Sequence, residues 1–198
     1  MREVELKAAV PDLPEVRRRV EGAGARLEYE GRLEDRRYDA ADHSLAARDH
    51  VLRLRIYRAA GAVASAAIDW KGPTGYDGGY KVREELTSAV ADPDALATIL
   101  DQLGFVVTRE IHRDIAQYAL GGAIVRFECY PRMDVLVEIE GTPETIERAI
   151  GATGMPRDAF TSERLPAFVA RYEARTGERA ALCDRELAGD FRYSVDDA

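Results

Sequence analysis

Apolar positions along this chain recur with two different periods. Leu13, Val16 and Val20 follow Asp12 at helical spacing, with Pro14 in the first turn and Gly22 and Gly24 ending the run. Asp92-Pro93 opens a second helix that carries Leu96, Ile99, Leu100 and Leu103 on one stripe and stops at Gly104. A third opens at Thr142-Pro143-Glu144 with Ile146, Ala149 and Ile150 on one face. A fourth begins near Thr161 and carries Leu165, Phe168, Val169 and Tyr172, with Pro166 in its first turn. Between these helices the period falls to two. The alternation predicts eight strands, at 2–9, 34–40, 51–58, 64–71, 80–87, 107–118, 122–128 and 134–140. Gly61, the stretch from Gly72 to Gly79 and Gly121-Gly122 read as turns or loops between them. Residues 1–175 make one domain on this reading, and the polar, weakly periodic segment 176–198 is a C-terminal tail.

Residues i and i+2 of a strand share a face, so each strand can be sorted into two sides. Glu3, Glu5 and Lys7 oppose Val4 and Leu6; Arg53 and Arg55 oppose Leu52, Leu54 and Ile56; Asp69 and Lys71 oppose Ile68 and Trp70. Lys81, Arg83 and Glu85 share a face, Arg126 and Glu128 oppose Val125 and Phe127, and Glu138 and Glu140 oppose Val137 and Ile139. One such face would simply be solvated. The same long charged side chains recur across most of the strands, however. An eight-stranded sheet of this pattern can curl with its apolar face outside, under the amphipathic helices, and its charged face around a central channel. The expected fold is therefore α+β: an eight-stranded antiparallel β-tunnel with a charged interior and helices packed outside. A faint internal echo accompanies it, because Glu3-Val4-Glu5 and Glu138-Ile139-Glu140 each lead from a strand into a proline-started helix.

Composition narrows the chemistry. The 198 residues hold 28 Lys and Arg against 36 Asp and Glu, a net charge of −8, which disfavours duplex nucleic acid and anionic membranes as partners. No apolar run approaches a membrane span, and the charged start of the chain is unlike a signal peptide, so a cytoplasmic location is expected. Cys129 and Cys183 lack metal-site spacing and read as reduced thiols. Inside the channel, carboxylates crowded together need a divalent cation, and hard oxygen donors suit Mg²⁺ or Mn²⁺. The neighbouring Lys and Arg need an anion, and a polyphosphate bridging metal and cations meets both demands.

Glu3-x-Glu5-x-Lys7, Leu52-Arg53-Leu54-Arg55, Trp70-Lys71-Gly72-Pro73, Lys81-Val82-Arg83-Glu84-Glu85 and Val137-Glu138-Ile139-Glu140-Gly141, in that order, resemble the CYTH superfamily of triphosphate tunnel metalloenzymes. That family includes class IV adenylate cyclases, thiamine triphosphatases and inorganic triphosphatases. The resemblance implies an eight-stranded tunnel with Glu3, Glu5, Glu138 and Glu140 as metal ligands, and Glu128 where an aspartate is more usual. It implies Lys7, Arg53, Arg55, Lys71, Lys81, Arg83 and Arg113 as triphosphate ligands, with Glu5, Glu138 and Lys7 closest to the chemistry. Two departures stand out. The late basic strand of the family carries a second cation where this chain has Ile115, and Arg109 on the same face lies about 13 Å from Arg113. Arg164-Leu165 replaces a Ser-Tyr pair of the last helix.

The expected activity is metal-dependent hydrolysis of a small-molecule triphosphate. The alternatives are an adenylate cyclase, which would attack the α-phosphate and release pyrophosphate, and a non-catalytic nucleotide or polyphosphate binder. His43, His50 and His112 carry no expected role, Trp70 is expected to pack outside the tunnel beneath a helix, and a homodimer is the one protein partner considered.

Overall fold

The computed structural model describes residues 2–194. Nine strands and five helices follow one another as β1 (Arg2–Ala9), α1 (Leu13–Gly22), β2 (Arg26–Ala40), β3 (Val51–Ala59), β4 (Ala62–Lys71), β5 (Gly75–Asp77), β6 (Tyr80–Ala89), α2 (Pro93–Gln102), β7 (Phe105–Leu120), β8 (Ala123–Cys129), β9 (Leu136–Glu140), α3 (Pro143–Thr153), α4 (Leu165–Thr176) and α5 (Asp184–Leu187). Eight of the strands close an antiparallel barrel in the order β1-β9-β8-β7-β2-β3-β4-β6, with β6 returning to β1. The α+β tunnel expected from the alternation is the fold of the chain, with helices packed on its outer surface.

The apolar faces point outward, as the sorting of faces requires. Leu6 and Ala8 of β1, Val125 and Phe127 of β8, and Val137 and Ile139 of β9 are buried beneath Val16 and Val20 of α1 and Ile146 and Ile150 of α3. Each fully buried aliphatic side chain contributes roughly 1.5–3 kcal/mol, so this layer holds the helices to the wall. On the opposite side Leu54 and Ile56 of β3 pack with Tyr38 and Leu100. The helix starts are those the sequence announces: the Asp12, Asp92 and Thr142 side chains accept from backbone N–H groups of the first turns of α1, α2 and α3, each with proline at the first or second helical position.

Several details differ from the sequence reading, among them the start of α4, which lies at Leu165 and not near Thr161 because Thr161 instead pairs with Lys7 of β1. β2 begins eight residues earlier than predicted, because an irregularity between Leu27 and Tyr29 interrupts the alternation and hides the strand's first half. Residues 75–77 form a strand instead of a loop: Gly78 and Gly79 both take positive φ, 58° and 86°, and make a two-residue turn that pairs Asp77 with Tyr80. The stripe on α2 is only half used, with Leu100 buried while Ile99 and Leu103 are exposed.

The inward-facing Ile111 and Leu136 meet Leu165 and Phe168 of α4 and Leu182 of the C-terminal segment, giving the bore an apolar floor. That segment is pinned to the barrel. The Leu182 carbonyl accepts from His112 N, and buried Arg109 makes a bidentate pair with Glu186 of α5 at 2.6 and 3.0 Å. Arg109 is thereby committed to structure.

Candidate functional site

β1 occupies the seam of the barrel, and its register builds the site. Arg2–Glu5 pair with β6 and Glu5–Ala9 pair with β9, so Glu5 faces Lys81 on one side and Glu140 on the other. Reading across the inner wall, side chains fall in rows. One row runs Ile124, Glu140, Glu5, Lys81; the next runs Gln117, Arg126, Glu138, Lys7. The two Glu-x-Glu repeats therefore lie side by side because β1 and β9 are neighbours.

Glu3, Glu5, Lys7, Arg53, Arg55, Lys71, Lys81, Arg83, Arg113, Glu128, Glu138 and Glu140 all line one narrow cavity along the bore. Glu85 lies beside it, 3.3 Å from Lys71 and 3.4 Å from Arg53. The cavity also takes Asp35, Arg37, Arg126, Tyr130 and Arg164. These escaped the candidate list. Arg126 was legible from its alternation with Glu128, and Asp35 and Arg37 are an i, i+2 pair on a strand whose charged faces run together in Glu34-Asp35-Arg36-Arg37. Among the described residues the lining counts ten Lys and Arg against six Asp and Glu, the reverse of the balance of the whole chain.

The cations are held in place by carboxylates. Asp35 accepts two bonds from Arg55, at 2.8 and 3.0 Å, and one from Arg113 at 3.0 Å, with Arg53 at 3.7 Å. Those arginines overcome burial and hold its carboxyl well below the usual range. Asp69 fixes Arg53 at 2.6 Å, and Glu128 accepts from Arg113 at 2.8 Å and from the Tyr130 hydroxyl at 2.7 Å. Arg83 donates to the carbonyls of Gly72 and Asp49, at 2.7 and 2.5 Å, and so ties two loops to the wall. Trp70 points out of the bore, where its ring meets His50 edge-on at 5.2 Å.

At the seam the carboxylates divide into two groups. Oxygens of Glu3, Glu5 and Glu140 all lie within 4.8 Å of one another. Three converging carboxylate oxygens fit a hard divalent ion such as Mg²⁺ or Mn²⁺. Lysines surround the group: Lys71 donates to both oxygens of Glu3 at 2.7 Å, and Lys81 and Lys7 both reach Glu5. Burial works against ionising Glu5, but Lys7, Lys81 and Lys71 outweigh burial and the repulsion of Glu138 and hold its carboxyl at about 2. Glu138, in contrast, sits between Lys7 and Arg126, which keep it well below the ordinary carboxylate range despite burial.

Glu140 goes the other way. Burial, aided by the charges of Glu138 and Glu3 and opposed by Arg126, pushes it up to about 8. A divalent ion must displace that proton, so metal affinity is expected to rise about tenfold per pH unit between pH 6 and 8 and then level off. Mn²⁺ titrations at pH 6, 7 and 8 check this; an affinity independent of pH contradicts the placement of Glu140 among the ligands.

The family model of the CYTH domain matches residues 1–140. The chain belongs to the CYTH family. Solved structures place this CYTH chain among tunnel proteins of distant sequence. A Vibrio parahaemolyticus protein provisionally named an adenylate cyclase is 16% identical with a TM-score of 0.72, over 85% of this chain and 97% of that one. A Pyrococcus horikoshii protein is 20% identical with a TM-score of 0.67, over 84% and 98%. A Hippeastrum protein, provisionally named an adenylyl cyclase and showing a dominant triphosphatase activity, is 16% identical with a TM-score of 0.61, over 91% and 98%. At these identities the likeness is one of fold. No curated protein sequence matches the CYTH chain significantly. Among its described residues no helix is long and apolar enough to cross a membrane.

Proposed function

We propose that this protein hydrolyses a small-molecule triphosphate inside its tunnel with the help of Mg²⁺ or Mn²⁺. The observation that carries the reading is a single narrow bore in which ten cations face six carboxylates, three of those carboxylates converging within 4.8 Å. Glu3, Glu5 and Glu140 would hold the ion, which when bound supplies charge neutralisation on phosphate oxygens. Arg53, Arg55 and Arg113, fixed by Asp35, Asp69 and Glu128, offer guanidinium groups already oriented, so little reorganisation accompanies phosphate binding. Lys71 and Lys81 are held by Glu3, Glu85 and Glu5, and would be freed to turn to phosphate once those carboxylates have another cation. Glu138, kept ionised by Lys7 and Arg126, is suited to orient a water by accepting its hydrogen bond. Phosphoryl transfer needs positioning and electrostatics and no covalent nucleophile. The Hippeastrum neighbour's triphosphatase activity supports hydrolysis over cyclisation.

The test is incubation with tripolyphosphate, thiamine triphosphate and ATP plus Mg²⁺ or Mn²⁺, with products resolved. Orthophosphate is the expected product. Cyclic AMP with pyrophosphate would make the protein a cyclase, and tight binding without turnover would make it a binder. Arg55→Ala is expected to lower turnover by ~10²-fold or more while the protein still folds, because Asp35 keeps Arg113 and Arg53 as partners. A wild-type rate in that variant contradicts the assignment.

A further inference from the structure

The tunnel carries a cation that the proposed chemistry uses only to keep Glu138 ionised. Arg126 lies on the inner face of β8, buried, in the row Gln117, Arg126, Glu138, Lys7. One edge of its guanidinium is clamped: Nε and Nη2 both donate to Gln117 Oε1, at 3.1 and 2.9 Å. The other edge reaches between two carboxylates, with Nη1 2.6 Å from Glu138 Oε1 and 3.3 Å from Glu140 Oε1. A positive group bridging two carboxylate oxygens at hydrogen-bond distance does electrostatically what a bridging divalent ion would do there.

In the neighbouring row lysines approach from outside, Lys7 and Lys81 donating to Glu5 and Lys71 to Glu3, and no guanidinium among the described residues bridges Glu5 to Glu140. Glu140 and Glu5 face each other directly, with Lys81 beyond Glu5 and the apolar Ile124 beyond Glu140. Glu138 has cations on both sides; the Glu3, Glu5 and Glu140 oxygens instead converge on one another. The gap between converging oxygens that an external cation could fill is therefore at the second group, whereas the gap between Glu138 and Glu140 is already filled by the Arg126 guanidinium. Ile115, where a tunnel cation would be expected on β7, faces Glu128 one row away from the Gln117–Arg126 pair.

We propose that Arg126, positioned by Gln117, is a resident counter-cation occupying the place of a second divalent ion between Glu138 and Glu140, so that the free tunnel binds one ion and not two. This rests on the metal-dependent reading above and adds a stoichiometry to it.

Mn²⁺ titration of the free, full-length protein at pH 8, followed by electron paramagnetic resonance of bound and free ion, tests it. The wild type is expected to take up one Mn²⁺ per chain with an isolated-ion spectrum. Arg126→Gln is expected to take up two, with the broadening of a spin-coupled pair. Should that variant fail to fold, Gln117→Leu keeps the charge but releases its clamp, and a second Mn²⁺ is expected to bind at least about tenfold more weakly than the first. Two ions in the wild type, or one ion in whichever variant folds, overturns the proposal and leaves the metal-dependent reading standing. No bound Mn²⁺ in the wild type overturns both.

Discussion

Glu5→Gln should leave the barrel folded and abolish triphosphate turnover, a loss of ~10³-fold or more. The amide has the size of the carboxyl group, and its oxygen can still accept from Lys7 or Lys81, so the seam between β1 and β6 keeps its contacts. What disappears is the charge. Glu5 is paired on both sides, with Lys81 of β6 and Glu140 of β9, and it is one of three carboxylates whose oxygens converge. Removing its charge leaves Lys7 and Lys81 with less to offset them and raises the local positive potential where the proposed divalent ion would sit. The expected signature is loss of turnover together with weakened Mn²⁺ binding, while circular dichroism keeps the folded barrel and the melting temperature falls because the charge that Lys7 and Lys81 stabilise is gone. Wild-type turnover in this variant would remove the basis of the metal site.

Asp35→Ala should act on stability first. The carboxylate is almost wholly buried, 2% exposed, and it is the shared partner of Arg55 and Arg113, with Arg53 close by. Arg53 keeps Asp69 and Arg113 keeps Glu128, but Arg55 loses both bonds of its bidentate pair. Stranding a buried charge in this way typically costs about 3–5 kcal/mol. The melting temperature should fall accordingly, and activity should fall even below the new transition because three guanidinium groups lining the bore lose their common anchor. Asp35→Asn should restore part of the stability by keeping acceptor geometry. An Asp35→Ala protein with unchanged melting temperature would show that the arginines find water or one another without penalty.

These two residues also mark what could be read from the chain alone. Glu5 was legible because a period of two sorts Glu3, Glu5 and Lys7 to one face, and that period is a local property of a strand. Asp35 was not. It sits in Glu34-Asp35-Arg36-Arg37, where both faces of β2 are charged and alternation of polarity vanishes, and the first half of that strand is masked by an irregularity. The division of the glutamates was likewise hidden. Glu138 and Glu140 differ by one step along a strand, yet one pairs with cations and the other faces Glu5, and only the register of β9 against β1 decides which. Register between strands distant in sequence is a tertiary fact. The same holds for Arg109, whose inward position was legible but whose partner, Glu186, comes from the far end of the chain.

The seam at β1 has a consequence for how the protein is made. The strand that carries Glu3, Glu5 and Lys7 emerges during synthesis before its partners β6 and β9, and Glu5 meets Glu140 only across a separation of 135 positions in sequence. Contacts of such sequence separation are slow to form because loop closure precedes any reward. The carboxylate centre therefore cannot exist on a nascent chain until β9 has left the ribosome and docked. Through that interval, an N-terminal strand with two unpaired edges has to wait for the barrel it will close.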